Sequence, residues 1–251
     1  AVTFGLNLFW SVIAIIVGNL AGAVFMGLHS AQGPKLGIPQ MIQSRAQFGV
    51  YGAIIPIILV ICMYIGFFAS TNLLGSEALS GLLNINITWS IILFSLIAFL
   101  ITLFGYDMIH KMQKYFTWIF IVVFLVATIV ILNLSIPAGS WSISNFKPSA
   151  FLLAVSVVAT WQFTYGPYVA DYSRYLPSNT STSKTFWYTY LGSVIGTCWM
   201  MFLGVILTVA IPGYLDHAST NLAHIFGAFS LVMFIIIFFG QLSIDIYNLY
   251  G

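Results

Sequence analysis

Seven stretches of mostly apolar residues run through this chain one after another, each about the 20 residues that a helix needs to cross a bilayer core. They cover about Phe4–Met26, Gly49–Leu74, Ile87–Gly105, Tyr115–Ile136, Ser149–Ala170, Thr185–Ile211 and Ala223–Asn248. Turn residues or a charge bound each one, such as Gln32-Gly33-Pro34-Lys35, Ser76-Glu77 and Pro212-Gly213. None alternates every second residue as a membrane barrel strand would. Lipid offers no partner to a backbone N–H or C=O, so these stretches must close their hydrogen bonds as helices. The fold class that follows is an all-α polytopic membrane protein, with residues 1–251 in a single transmembrane domain. Composition agrees: 61% of the residues are hydrophobic and 5% charged, where a soluble domain carries about 25% charged.

The few charges fix an orientation. Lys35 and Arg45 follow the first stretch, Lys111 and Lys114 the third, and Arg174 and Lys184 the fifth. Six of the seven basic residues therefore share one side, which the positive-inside rule makes cytoplasmic. Loops 27–48, 106–114 and 171–184 are placed there, with Glu77, Lys147 and Asp216 opposite. Trp89, Trp118, Trp141, Trp187 and Tyr115 lie near stretch ends, as interface anchors do. The expected location is the plasma (inner) membrane, with several passes through the lipid bilayer. The chain opens on Ala1 inside an apolar run and stops at Tyr250-Gly251 without a polar tail, so it reads as part of a longer transporter-like chain.

Several function classes drop out. No basic cluster suggests nucleic acid, and no obligatory protein partner is inferred. Cys62 and Cys198 stand apart in apolar runs, without metal-site spacing. His29, His110, His217 and His224 are scattered over loops and edges, so no catalytic metal cluster and no enzyme is expected. A channel would need a repeated pore lining or a ring of charge. A secondary transporter remains, with no cofactor beyond a coupling ion.

Three places in the apolar stretches carry chemistry. The last contains Asp245, and acids at membrane depth usually face a cavity or an ion path. The alternative is that the stretch ends near Leu242 and leaves Asp245 at the cytoplasmic interface. Gln241, Asp245 and Asn248 fall at i, i+4 and i+7, on one helix face; Ser243 lies off that stripe. The fifth stretch places Trp161 and Gln162 before Gly166-Pro167, a pair that breaks or kinks a helix. Indole offers a stacking face and an amide can read a hydrogen-bonding edge. In the second stretch, Tyr64, Phe67, Ser70, Thr71 and Asn72 crowd one half, with Tyr64 near mid-span. Small residues at Gly18, Ala21, Gly22, Gly192 and Gly196 fit close helix packing.

Two loops are more specific than connectors. One is G-x-x-x-G-x-P followed by SRAQFG-x-x-G, from Gly33 to Gly52, and the other is TWQ followed by PYVADYSRY, from Thr160 to Tyr175. On these motifs the chain resembles the nucleobase–cation symporters, the permease family for cytosine, purines, uracil, thiamine and allantoin. The purine/cytosine branch is the nearer one, and the likeness extends over essentially all of the chain.

The resemblance implies part of a leucine-transporter-type fold, two five-helix inverted repeats related across the membrane plane, with the seven stretches as helices two to eight. It implies import of a nucleobase such as cytosine or a purine by cation symport. A related permease for hydantoin, allantoin or thiamine-like compounds is the alternative. It places Trp161 and Tyr64 as the aromatic pair around the substrate ring, with Phe67 nearby. The family's helix-three amide has no Gln to match it in this stretch, which leaves Gln162, Asp245 and Asn248 as substitutes. Ser243 matches the first hydroxyl of the family's sodium site, whereas the second position is Ile244, which has none. The implied coupling ion is therefore Na+ at Ser243 and Asp245, or H+ carried by Asp245.

Overall fold

The computed structural model describes residues 2–103, 106–144 and 146–250. Most of the described residues are helical, with no strand among them. Six helices of 19 to 30 residues are long and apolar enough to span a membrane, and Ile87–Leu103 is a shorter apolar helix. The helices form two compact units, one of Ala1–Val60 with Ser135–Ala210 and one of Ile61–Leu134 with Ile211–Gly251.

The first unit is built on α1 (Leu8–Ser30), which packs against both α7 (Pro148–Tyr165) and α9 (Thr182–Ala210). The Asn7 side chain caps α1 by accepting from the Trp10 N–H, satisfying one of the donors that a helix start leaves over. Close packing of α1 on α7 depends on Gly22: a Cβ there would lie 2.7 Å from the Ala159 carbonyl oxygen and 2.8 Å from the Gln162 Cβ. Short helices α2 (Gly33–Leu36) and α3 (Gln40–Gly52) follow α1. α3 is interrupted at Gly49, whose φ of 73° lies in the left-handed region that glycine adopts without a Cβ penalty. Loop 27–48, expected between the first two membrane stretches, is thus largely helical.

The second unit holds most of α4 (Ile54–Leu83), with α5 (Ile87–Leu103), α6 (Tyr106–Leu132), α10 (Ala218–His224) and α11 (Ser230–Tyr250). Leu79, Phe94, Ala98, Leu242 and Ile246 form a core between α4, α5 and α11. A second core joins Ala78, Ala223 and Phe234. α4 begins at Ile54 and continues past Leu74 to Leu83, because Asn72, Ser76 and Glu77 find their partners within the protein. The apolar run that starts at Ala223 is divided: α10 ends at His224, and a turn through Gly227, at φ 53°, precedes α11. The expected stretch end at Gly105 lies outside the described residues, as do the side chains of Asp107, His110 and Lys111.

Candidate functional site

In the first unit, α7 ends at Tyr165 and Gly166–Tyr168 tightens into a single 3-10 turn before α8 (Val169–Ser173). Pro167 brings no N–H to the turn, the reason such a pair interrupts an α-helix. The expected break at Gly166-Pro167 is present. Trp161, one turn earlier, is 45% exposed. Its indole borders a cavity of about 820 Å³. Tyr165, Tyr172 and Tyr188 line the same cavity, with Ser193 and Thr197 along α9. Tyr165 and Tyr172 stack with ring planes 10° apart. Gly192 borders this cavity too, and a Cβ there would meet nothing within 4 Å, so it does not serve helix packing.

Gln162, next in sequence and about 100° further round the helix, lines the same cavity but is far more buried. It is 1% exposed. Its Nε2 donates to Asn19 Oδ1 at 2.9 Å and Thr197 Oγ1 at 3.1 Å, and its Oε1 accepts from Ser193 Oγ at 2.6 Å. Asn19 in turn donates to the Ile15 carbonyl. The amide that looked available to read a substrate edge is committed to α1 and α9, with both N–H groups in use.

In the second unit, Asp245 is fully buried at 0% exposure. Thr71 Oγ1 donates to its Oδ1, and Asn72 Nδ2 donates to its Oδ2 at 3.1 Å. Asn72 also donates to Ser95 Oγ at 2.9 Å and accepts from Ser76 Oγ at 3.4 Å. Among the described residues, no cationic side chain pairs with this carboxylate. Asp245 therefore lies in the interior of the unit, held by neutral donors from α4. Tyr64 and Phe67 are half-buried on the same α4 stripe as Thr71, at i, i+3 and i+7. Thr71 Oγ1 also reaches the Phe67 carbonyl at 2.7 Å.

Ser243 is buried, and its hydroxyl donates to the Phe239 carbonyl of its own helix. Its oxygen keeps lone pairs for a cation. Asn248 Nδ2 and Gln241 Oε1 are buried and have no hydrogen-bond partner among the described residues. An unpaired buried polar atom costs about 1–3 kcal/mol, so a donor and an acceptor of this kind on the face of Asp245 suit a bound polar ligand. No cluster of three metal-ligating side chains occurs among the described residues.

Sequence patterns named Thr71 and Asn72, the donors to Asp245, but not the partners of Gln162. Asn19, a lone amide inside the first apolar run, and Ser193 and Thr197, one turn apart in the sixth, were the available signals. The two sequence motifs do meet in space. Ser173 Oγ donates to the Ser30 carbonyl at 2.7 Å. A Cβ on Gly33 would lie 2.1 Å from Ser173 Oγ and 2.8 Å from the Arg174 nitrogen, so that motif position admits only glycine without local rearrangement.

Residues 1–251 match the model of the permease family for cytosine/purines, uracil, thiamine and allantoin. The chain belongs to this family. It is 56% identical to a putative purine-cytosine permease, YxlA, of Bacillus subtilis (strain 168), over 100% of this chain and 55% of that one. It is 28% identical to the purine-cytosine permease FCY2 of Saccharomyces cerevisiae, over 82% of this chain and 40% of that one. A vitamin B6 transporter of that yeast, TPN1, is 26% identical over 84% of this chain and 38% of its own. The chain spans about half the length of the curated relatives it matches. Among solved structures, Mhp1, a nucleobase-cation-symport-1 family transporter in a closed conformation with bromovinylhydantoin bound, superposes with a TM-score of 0.79. That match is 17% identical and covers 98% of this chain and 58% of Mhp1. The chain therefore has the all-α fold that its resemblance implied, as an integral multi-pass membrane protein.

Proposed function

We propose that the full-length protein is a secondary transporter of the plasma (inner) membrane, importing a nucleobase such as cytosine or a purine by cation symport. It performs no catalysis in this reading. The observation that carries it is the half-exposed indole of Trp161, set over a cavity beside a helix break in a chain of this family. Broken helices supply binding groups in transporters because they release backbone polar groups at membrane depth. Trp161 is the stacking surface for the ring, and loops 27–48, 106–114 and 171–184 face the cytoplasm.

Asp245, with Thr71 and Asn72, is the polar anchor of the second unit, and Ser243 offers a further oxygen to a cation. Tyr64, Phe67 and Asn248 remain substrate-contact candidates. Gln162 lines the same cavity, its amide held in place by bonds to α1 and α9. The coupling ion is Na+ or H+. Competition of adenine, cytosine, uracil and allantoin for labelled uptake into vesicles holding the full-length protein tests the substrate class. Inhibition by cytosine or a purine supports the reading. Inhibition by allantoin alone moves the substrate to the hydantoin-like branch, and no uptake of any heterocycle refutes the transport reading.

A further inference from the structure

In a continuous helix, the Gly166 carbonyl would accept from the Ala170 N–H four residues on. Both groups are paired with one side chain instead. Gln40 Nε2 donates to the Gly166 carbonyl at 2.8 Å, and the Ala170 N–H donates to Gln40 Oε1 at 2.9 Å. The amide thus bridges the helix break from a residue about 130 positions away in sequence. Gln40 is itself anchored: its backbone N–H donates to Asp171 Oδ1 at 2.7 Å. It is 6% exposed, so water does not compete freely for these bonds.

Gln40 is the first residue of α3, the helix that carries the SRAQFG motif. Its main chain and side chain are both fixed to residues 166–171. A few residues earlier, the Ser30 carbonyl and Gly33 lie against Ser173 and Arg174, and Lys35 Nζ donates to the Ser178 carbonyl at 3.2 Å. The start of α3 and the break in α7 are therefore one mechanical piece. An amide is the side chain that suits the bridge, because it alone presents a donor and an acceptor side by side without charge.

We propose that Gln40 is a positioning residue for transport, holding the α7 break in its open geometry so that Trp161 keeps its pose and α3 moves with the break. This rests on the transport reading for its functional part. Its structural part stands alone, so the test has two arms. In the reconstituted full-length protein, Gln40→Ala should speed amide exchange across residues 166–173 by about tenfold and leave 150–160 unchanged. The same variant should raise the uptake KM by about tenfold at equal protein amount, the effect of losing one to two net hydrogen bonds. Gln40→Met keeps the side-chain length and removes both bonds without adding charge, so it should match Gln40→Ala; it also serves if Gln40→Ala does not fold.

Asp171→Asn should match the wild type, since an amide oxygen still caps the Gln40 N–H. Gln47→Ala should also match it: Gln47 borders the same small cavity as Gln40 but makes no bond to the break. Unchanged exchange at 166–173 in folded Gln40→Ala and Gln40→Met would overturn the bridge. Faster exchange with an unchanged KM would overturn the positioning role. Failure of the wild type to transport any heterocycle removes the transport reading and leaves the exchange arm to decide the bridge.

Discussion

Asp245→Asn separates what the buried carboxylate does for the fold from what it does for transport. In the wild type the carboxylate receives Thr71 Oγ1 and Asn72 Nδ2. Hydrogen bonds to a charged group are worth about 1.5–3 kcal/mol each, but burying an ion held only by neutral donors costs several kcal/mol. The asparagine amide fits the same cradle. Its oxygen accepts from Asn72, and its NH2 donates to Thr71 Oγ1, whose own hydrogen goes to the Phe67 carbonyl 2.7 Å away. Two neutral bonds then replace two charge-assisted ones, and the ion is gone. The expected outcome is a full-length protein at least as stable as the wild type, by about 0–2 kcal/mol, with uptake lost or its ion dependence changed. Asp245→Ala, by contrast, leaves an Asn72 N–H facing a gap, while Thr71 keeps the Phe67 carbonyl, and should cost about 2–4 kcal/mol. The assay is thermal unfolding in detergent beside uptake in vesicles. A loss of stability in Asp245→Asn as large as in Asp245→Ala, with uptake intact, would refute the reasoning and make Asp245 a structural residue.

Gln162→Ala removes three side-chain bonds to Asn19, Thr197 and Ser193, so unfolding should show a loss of about 2–4 kcal/mol; a neutral variant would mean that the amide is not structural. Tyr214, outside the apolar spans, has its phenol pushed up to about 12 by burial first and the Glu77 carboxylate second. The unfolded chain then releases that proton at lower pH than the folded one, so stability should fall as pH rises from about 10 to 12. Tyr214→Phe should flatten that part of the pH–stability curve, and an unchanged slope would contradict it.

The fold was legible because lipid leaves the backbone few options. Apolar runs with turn residues between them give helices wherever they occur, and Gly166-Pro167 announced its own break. Element ends were harder where polar groups find partners inside the protein. α4 runs on through Asn72, Ser76 and Glu77 because Asp245 and Ser219 meet them, which no local pattern displays. Trp161 and Gln162 read as one cluster from their adjacency and both line the cavity, yet the Gln162 amide is taken up by Asn19, Thr197 and Ser193, partners on other helices that adjacency does not display. Asp245 drew notice as a lone acid, but its donors lie 173 and 174 positions away. Gln40 was invisible for the same reason: its partners are main-chain atoms of a distant turn, which sequence chemistry does not mark.

In the proposed function, the Trp161 face of the cavity binds a planar heterocycle for transport. Labelled cytosine or adenine uptake by the full-length protein, compared between Trp161→Ala and Trp141→Ala at equal amounts in the membrane, tests it most directly. Trp161→Ala should abolish uptake. Trp141→Ala, an exposed residue away from the cavity, should leave it nearly unchanged. Equal effects of the two substitutions, or uptake that survives loss of the Trp161 indole, would contradict the account.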